Sequence, residues 1–539
     1  METHYLIIGG GSAGCVLAGR LSEDPAVHVT LVEAGPPDRS QLIHCPAGLA
    51  LMARKGNLSW AFDTIEQPGL NGRRGHQPRG KVLGGSSSIN AMIYIRGQAQ
   101  DYDTWAAHGN PGWGWQDVLP WFIRSENNAR GASEWHGDSG PIRVKDLDCP
   151  GKFREAFVQA AVQAGLARNA DFNGPAQEGA GPYQVFHHEG ERYSAAKAYL
   201  TPHLHRPNLR VITGVQVTRI LFEGIRAIGA EFVPSEGGAT QTIRARSEVL
   251  LAAGAFGSPQ LLLLSGVGDG AALQGLGIDT LVHRPGVGRN LHDHPDVVQV
   301  VHVPGSGHGE LFGLSIPGLW RAWLGTREWR ARRTGIMTTN FGEAGAFLRS
   351  DTSIDRPDLQ LHFVVGKLQD HGRKPSTGHG FSCHVCVLRP KSRGSVRLAS
   401  PDPLQAPRID PAFLSDPADT RALVQGFRRT REILAQPALA RFGGHELPES
   451  AAAQTDDQIE QYVRNHADTI YHPVGTCRMG PVHDADAVVD ARLRVHGLQG
   501  LRVIDASIFP SIPSGNTNAP TLMVAERAAD MIRHDAAAP

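Results

Sequence analysis

Two sets of residues in this chain have the types and spacing that chemistry needs, and they stand at opposite ends of it. Near the amino terminus, Gly9, Gly11 and Gly14 form G-x-G-x-x-G within "HYLIIGGGSAGCVLAGRL". Gly9 permits a tight turn, Gly11 lets backbone approach a pyrophosphate, and Gly14 allows a helix to pack closely on a strand. Glu33 closes the next apolar run, "HVTLVEAG", 33 − 14 = 19 residues later, where an acid can bind ribose hydroxyls. At the other end, His472 sits in the turn-rich "YHPVGTCRMG" and Asn516 in "PSGNTNAP", 516 − 472 = 44 residues on. A neutral imidazole can take a proton near pH 7, and an amide beside it can donate a hydrogen bond.

Each signal has a plain competitor. A lone glycine turn is common, but strand, glycines, helix, second strand and acid in register favour a dinucleotide site, for NAD or FAD alike. Any one of 25 histidines is more often structural than catalytic, so His472 stands out only through its surroundings. Cys383 and Cys386 spell C-x-x-C, but in "FSCHVCVL" an offset of three puts them on opposite faces of a strand, which argues against a metal or redox pair. His292, Asp293 and His294 in "NLHDHPDV" have metal-ligand spacing only superficially.

The positioning elements are read from periodicity. A buried strand and a helix flank the glycines. "LRVIDASIFPSIPSGNTNAPTLMVAERAADMI" reads as strand, loop and helix, with Leu522, Ala525, Ala529 and Ile532 on one helical face. Asn518 is the expected cap and Pro520 lies near the first turn, so the helix's positive end opens beside Asn516. "FSCHVCVLRPKSRGSVRLAS" reads as two strands joined by a turn. In 311–333, Trp320, Trp323 and Trp329 are interleaved with arginines; a packed helix, an entrance lid and peripheral membrane contact are the readings.

With 539 residues the chain calls for two domains or one two-lobed domain. Its 53 basic and 53 acidic side chains cancel, which argues against a nucleic-acid binder. Six cysteines make no disulfide framework and point to a reduced, intracellular setting. The first residues lack a basic, cleavable leader pattern, and no run approaches about 18 apolar residues, so neither secretion nor a membrane span is expected.

Together with "GKVLGGSSSINAMIYIRG" at 80–97, "GAFGSPQLLLLSGVG" at 254–268, "HPVGT" and "VIDASIFPSIPSGNTNAP", these residues make the chain resemble the glucose–methanol–choline (GMC) oxidoreductase family nearly end to end. The nearest branches are choline dehydrogenase-like and aliphatic or aryl alcohol enzymes. The resemblance implies an α/β (α+β overall) fold. A Rossmann-like FAD-binding domain would be formed discontinuously by 1–50, 77–100, 205–300 and 465–539. A substrate-binding cap with an antiparallel sheet flanked by helices would be formed by 51–76, 101–204 and 301–464. It implies FAD as hydride acceptor, His472 as general base and Asn516 as its hydrogen-bond partner. The remaining cofactor contacts it implies are Ser12, Ala13, Ala34, Val82, Gly84, Gly85, Asn90, Ala91, Met92, Ile93, Val217, Ala253, Tyr471, Asp505, Ala506 and Thr517. Backbone donors at 90–93 would face the redox-active edge of the flavin. Ile89 stands where some relatives carry a tethering His, so FAD would be held without a covalent link. The 292–294 segment would be structural and hold no metal.

The expected reaction is oxidation of a primary alcohol to the aldehyde, with electrons passed to a quinone or other carrier, in a cytoplasmic enzyme or one peripheral on the inner membrane. Oxygen as acceptor is the nearest alternative; a lyase or photodecarboxylase on the same scaffold is a more distant one. Choline would require a cation site, for which Glu343 and nearby aromatics are the candidates.

Overall fold

The computed structural model describes residues 2–52, 58–305, 309–369, 374 and 376–537. The chain opens on β1 (Glu2–Ile8), whose Leu6, Ile7 and Ile8 are buried, as a strand covered on both faces requires. It turns through the glycines into α1 (Ser12–Leu21) and returns as β2 (Val29–Glu33), parallel to β1. β3 (Leu209–Thr213) extends the parallel sheet beyond β2. β4 (Val215–Glu223), β5 (Arg226–Pro234) and β6 (Gln241–Leu251) form an antiparallel meander, and the second half of β6 lies parallel to β1. The short strand Leu501–Val503 completes the sheet, parallel to β6, although it is some 250 residues away in sequence. The strand order β3-β2-β1-β6-β5-β4 puts the ends of β1, β2 and β6 side by side, next to the glycine turn.

A second, antiparallel sheet is centred on β7 (Pro295–Val303), β8 (Gly342–Leu348), β9 (Leu359–Val364) and β10 (Gly378–Val387), in the order β7-β10-β9-β8. Gly179–Pro182 and His445–Glu446 lie on its two edges, and Asp468–Thr469 pairs with the start of β7. Side-chain alternation divides its faces. Val297 and Val301 of β7, Leu359, Leu361 and Phe363 of β9, and Phe381, Cys383 and Val385 of β10 join the core beneath the helix Pro417–Leu434. The even-numbered positions, Asp296, Gln360, His362 and His384, lie on the opposite face. Cys383 and Cys386 accordingly fall in different apolar clusters. The two expected strands in 381–400 both form, but not as a hairpin: Ser395–Arg397 pairs with Arg408–Asp410 instead, because β10 is already hydrogen-bonded on both sides.

The segment 311–333 contains α2 (Ile316–Arg332), and the chain ends in α3 (Asn518–Ala537). Leu522, Ala525, Ala529 and Ile532 are all buried, as their spacing predicts. Asn518 is the first residue of α3; its side-chain oxygen accepts from the Ser12 hydroxyl at 2.7 Å, so it links the two helix starts. Farther along, Arg20 of α1 makes a bidentate pair with Glu526 of α3, whose carboxylate also accepts from Tyr199 at 2.6 Å. Among the described residues, no helix is long and apolar enough to cross a membrane.

Candidate active site

A cavity of about 1350 Å³ runs from the glycine turn to the inner face of the second sheet. At its first end, Gly9 has φ of +103° and a Cβ there would stand 2.4 Å from the Ala252 carbonyl oxygen, so only glycine fits. A Cβ on Gly14 would come within 1.9 Å of the Gly9 oxygen, which is the close helix–strand contact the motif requires. Gly11 differs: its Cβ would meet nothing nearer than the Gly85 Cα at 3.9 Å, so the cavity floor here is open. The helix α1 starts at Ser12 without a side-chain cap, leaving its first N–H groups for an anion. Glu33 is buried and accepts from the Gly10 and Gly35 amides at 2.8 Å each. Burial pushes its carboxyl up to about 7, against the pull of those N–H donors. An uncapped helix start, an open glycine floor and an acid at the end of β2 together fit the pyrophosphate and ribose of FAD.

At the other end, four side chains, His294, His472, Asn516 and Gln360, form a chain of contacts in which the histidine tautomers can be worked out. The His294 Nε2 lies 3.1 Å from the Leu388 carbonyl oxygen, which can only accept, so this nitrogen carries the proton. Burial pushes His294 down to about 3, so it is neutral and its Nδ1 is an acceptor. His472 Nδ1, 3.1 Å away, must then be the donor. That leaves the His472 Nε2 with a lone pair, 3.2 Å from the Asn516 amide nitrogen, which donates to it. Burial, then the neighbouring His294, His362 and Arg79, hold His472 well below the ordinary histidine range, so it is a neutral base. Asn516 is itself steadied by Gln360 of β9, whose amide donates to its Oδ1 at 3.2 Å.

The loop carrying His472 is fastened by Asp293. Its Oδ1 accepts the His472 backbone N–H at 2.7 Å, and its Oδ2 accepts the Thr469 hydroxyl at 2.6 Å. Burial raises Asp293 to about 6, with Thr469 and Arg79 opposing. Tyr471, between them, takes φ of +71°, a left-handed conformation rare for a side chain of its size. Such strain persists only where the surroundings hold it, and Arg79 donates to the Tyr471 carbonyl at 2.8 Å.

Most of the residues expected from sequence come to this cavity: Gly9, Gly11, Ser12, Ala13, Glu33, Ala34, Gly85, Asn90, Ala91, Met92, Ile93, Val217, Ala253, Tyr471, His472, Asp505, Ala506, Asn516 and Thr517 all line it, as does Ile89. Gly14, Val82 and Gly84 lie behind the wall: Val82 packs with Ile43 and Met52, and Gly84 donates its N–H to the Gly10 carbonyl at 2.7 Å. Two of the backbone donors expected at 90–93 are spent internally, Asn90 on the Ser86 carbonyl and Met92 on the Asn90 Oδ1. Asp505 is engaged by the Gly254 amide and the Ser258 and Ser507 groups, which fix its carboxylate at the cavity wall. Glu343 is not among the residues lining the cavity and accepts from Thr339 at 2.7 Å within the fold, whereas the nearby aromatic rings of Phe312 and Phe341 do line it.

Sequence reasoning missed His294, His362, His384, Gln360 and the fastening role of Asp293. The available signal was alternation: Gln360 and His362, and His384 across from them, occupy one face of otherwise apolar strands. His292, in contrast, is structural, with its Nδ1 on the Asn290 carbonyl and its Nε2 accepting the Ile512 amide at 2.9 Å.

Comparison with known proteins sets this geometry among relatives. Two family models described as GMC oxidoreductase match residues 3–296 and 390–525. An alcohol dehydrogenase (acceptor) of Pseudomonas putida is 44% identical over 529 residues, which is 98% of this chain and 95% of that protein. The mitochondrial choline dehydrogenase of Homo sapiens is 44% identical over 541 residues, 99% of this chain and 90% of that protein. Among solved structures, pyridoxine 4-oxidase from Mesorbium loti superposes with a TM-score of 0.86 at 32% identity, covering 99% of each chain.

Proposed function

The chain belongs to the GMC oxidoreductase family, as an FAD-dependent oxidoreductase acting on CH–OH donors, and from that premise we propose that it converts a primary alcohol to the aldehyde with His472 as base. The observation that carries this reading is the Nε2 lone pair of His472, held toward the Asn516 amide at 3.2 Å in the cavity wall. FAD, when bound, supplies the acceptor for the hydride that leaves the alcohol carbon. The protein's part is the proton and the positioning. His472 Nε2 takes the hydroxyl proton, and the Asn516 N–H it previously accepted is then free to hold the alcohol oxygen as charge develops there. The proton on His472 Nδ1 stays hydrogen-bonded to His294, so the base keeps its tautomer through turnover.

The lining suits an uncharged alcohol in this reading, with Ile93, Met337, Phe341, Val364 and Ile470 among its apolar residues and Glu33, Glu310 and Asp505 as its acids. Ile89 offers no nucleophile, which supports FAD held without a covalent link. The discontinuous FAD-binding segments and the substrate cap belong to the same reading. We take a quinone or similar carrier as electron acceptor, in a cytoplasmic enzyme or one peripheral on the inner membrane. The likeness to an oxidase supports oxygen as the alternative.

Anaerobic mixing with a panel of aliphatic, aryl and amino alcohols tests the proposal. Bleaching of the flavin by uncharged primary alcohols is expected; no bleaching by any of them would overturn it. Reoxidation by a soluble quinone against oxygen then separates the two acceptors.

A further inference from the structure

The mouth of the cavity and an exposed apolar surface are made by the same segment. Ile316, Leu319 and Trp320 of α2 are 86%, 62% and 60% exposed, far beyond what scattered surface residues explain. Trp323 and Leu324 extend this face by one turn, and Leu314 adjoins it from the preceding strand. The rings of Trp320 and Trp323 stack at 4.8 Å, and the Arg327 guanidinium lies over Trp323 at 4.9 Å. Leu314, Leu319, Trp323 and Arg330 also form one rim of the cavity, with Leu51 on the rim as well.

This face is not the loose side of a frayed helix. Trp329 is buried and donates its indole N–H to the Gly190 carbonyl at 2.8 Å, and Arg333 pairs with Glu191 at 2.8 Å. The helix is anchored on one side and presents the other to solvent. Its charge is one-sided too: with Arg333 paired to Glu191, Arg321, Arg327, Arg330 and Arg332 stand against Glu328, the one acid of the helix, in a chain whose formal charges sum to zero. A second copy seated on this face by a two-fold axis would bring two such arginine clusters together, which is unfavourable. Indole rings and arginines beside an aliphatic face match the headgroup boundary of a negatively charged bilayer.

We propose that the exposed face of α2 docks this protein on an anionic lipid bilayer, with the cavity mouth turned to the acyl–headgroup boundary. An apolar alcohol dissolved in the bilayer would then enter without crossing bulk water; this consequence, unlike the docking itself, rests on the proposed alcohol oxidation.

Flotation of the FAD-loaded protein with vesicles tests it, comparing phosphatidylcholine alone with phosphatidylcholine containing about one-third phosphatidylglycerol. The protein should float with the anionic vesicles at least about tenfold better, and lose this advantage in high salt. The double variant Ile316→Glu/Trp320→Glu, neither residue lining the cavity, should fail to float while oxidising a short water-soluble alcohol as before. Should that variant lose FAD, Arg327→Glu/Arg332→Glu provides the second arm and should abolish the preference for anionic lipid. Absence of flotation, flotation indifferent to both variants, or a light-scattering dimer that Ile316→Glu/Trp320→Glu dissolves would overturn the proposal. Flotation with no alcohol oxidised would leave the docking standing and remove the function.

Discussion

The two ends of the cavity are built by different means. The nucleotide end is mostly backbone: a glycine turn, the open start of α1, and one carboxylate whose oxygens hold the Gly10 and Gly35 amides. It is contained within about 25 consecutive residues, plus the β6 end that the glycines pack against. The proposed catalytic end is made of side chains drawn from separate segments, His294, His472 and Asn516, and the contacts among them set which nitrogen carries each proton. A backbone grip fails when a Cβ intrudes. A side-chain relay fails when any single donor or acceptor is taken away.

The largest effect should come from His472→Ala. Removing the proposed base should lower the rate of flavin reduction by about 10²- to 10⁴-fold while the FAD content per chain, measured after acid release, stays at the wild-type level. Loss of FAD instead would erase the distinction between the two ends. Gly11→Ala is the converse. The 3.9 Å of free space leaves the fold intact, but the methyl group projects into the floor where a pyrophosphate would sit. FAD affinity should drop about tenfold or more, with an unchanged melting temperature of the apo-protein; each lost tenfold corresponds to about 1.4 kcal/mol. An apo-protein that melts much earlier would show that Gly11 serves the fold rather than the ligand.

The same difference explains what could be read from the sequence. A backbone motif is local, so the spacing of Gly9, Gly11, Gly14 and Glu33 carries its own geometry, and with it the strand–helix–strand unit around it. The antiparallel pairing in the second sheet is not local. The strand at 395–397 was legible as a strand, but its partner was not, because the neighbours of β10 arrive from 295–303 and 359–364. His472 and Asn516 were legible through the family motifs. His294 was not, since its function lies in a contact 178 residues away in sequence and nothing in "HDHPD" announces which nitrogen will face His472.

His294→Leu sharpens that point with a smaller effect. His472 Nδ1–H would lose its acceptor, the two neutral tautomers would compete, and flavin reduction should slow by about a few-fold to tenfold. His294→Asn, which restores a carbonyl acceptor, should recover part of the rate. Equal rates in both variants would mean that the contact at 3.1 Å does not set the tautomer.

The smallest effect concerns stability against pH. His294 and His362 are pushed by burial to about 3. A histidine whose folded pKa is depressed binds fewer protons folded than unfolded, so below about pH 6.5 each one favours unfolding as the pH falls, by up to about 1.4 kcal/mol per pH unit. Glu33 at about 7 and Asp293 at about 6 act in the opposite direction, because their raised pKa values cost stability as pH rises through the carboxylate range. His362→Phe removes one histidine from the sum and leaves the carboxylates in place. Urea unfolding of the apo-protein at pH 7 and pH 5 should therefore show a smaller acid loss in the variant, by up to about 2 kcal/mol. An identical loss in both proteins would mean that His362 is protonated in the folded state, and that the polar face of the second sheet is wetter than its burial implies.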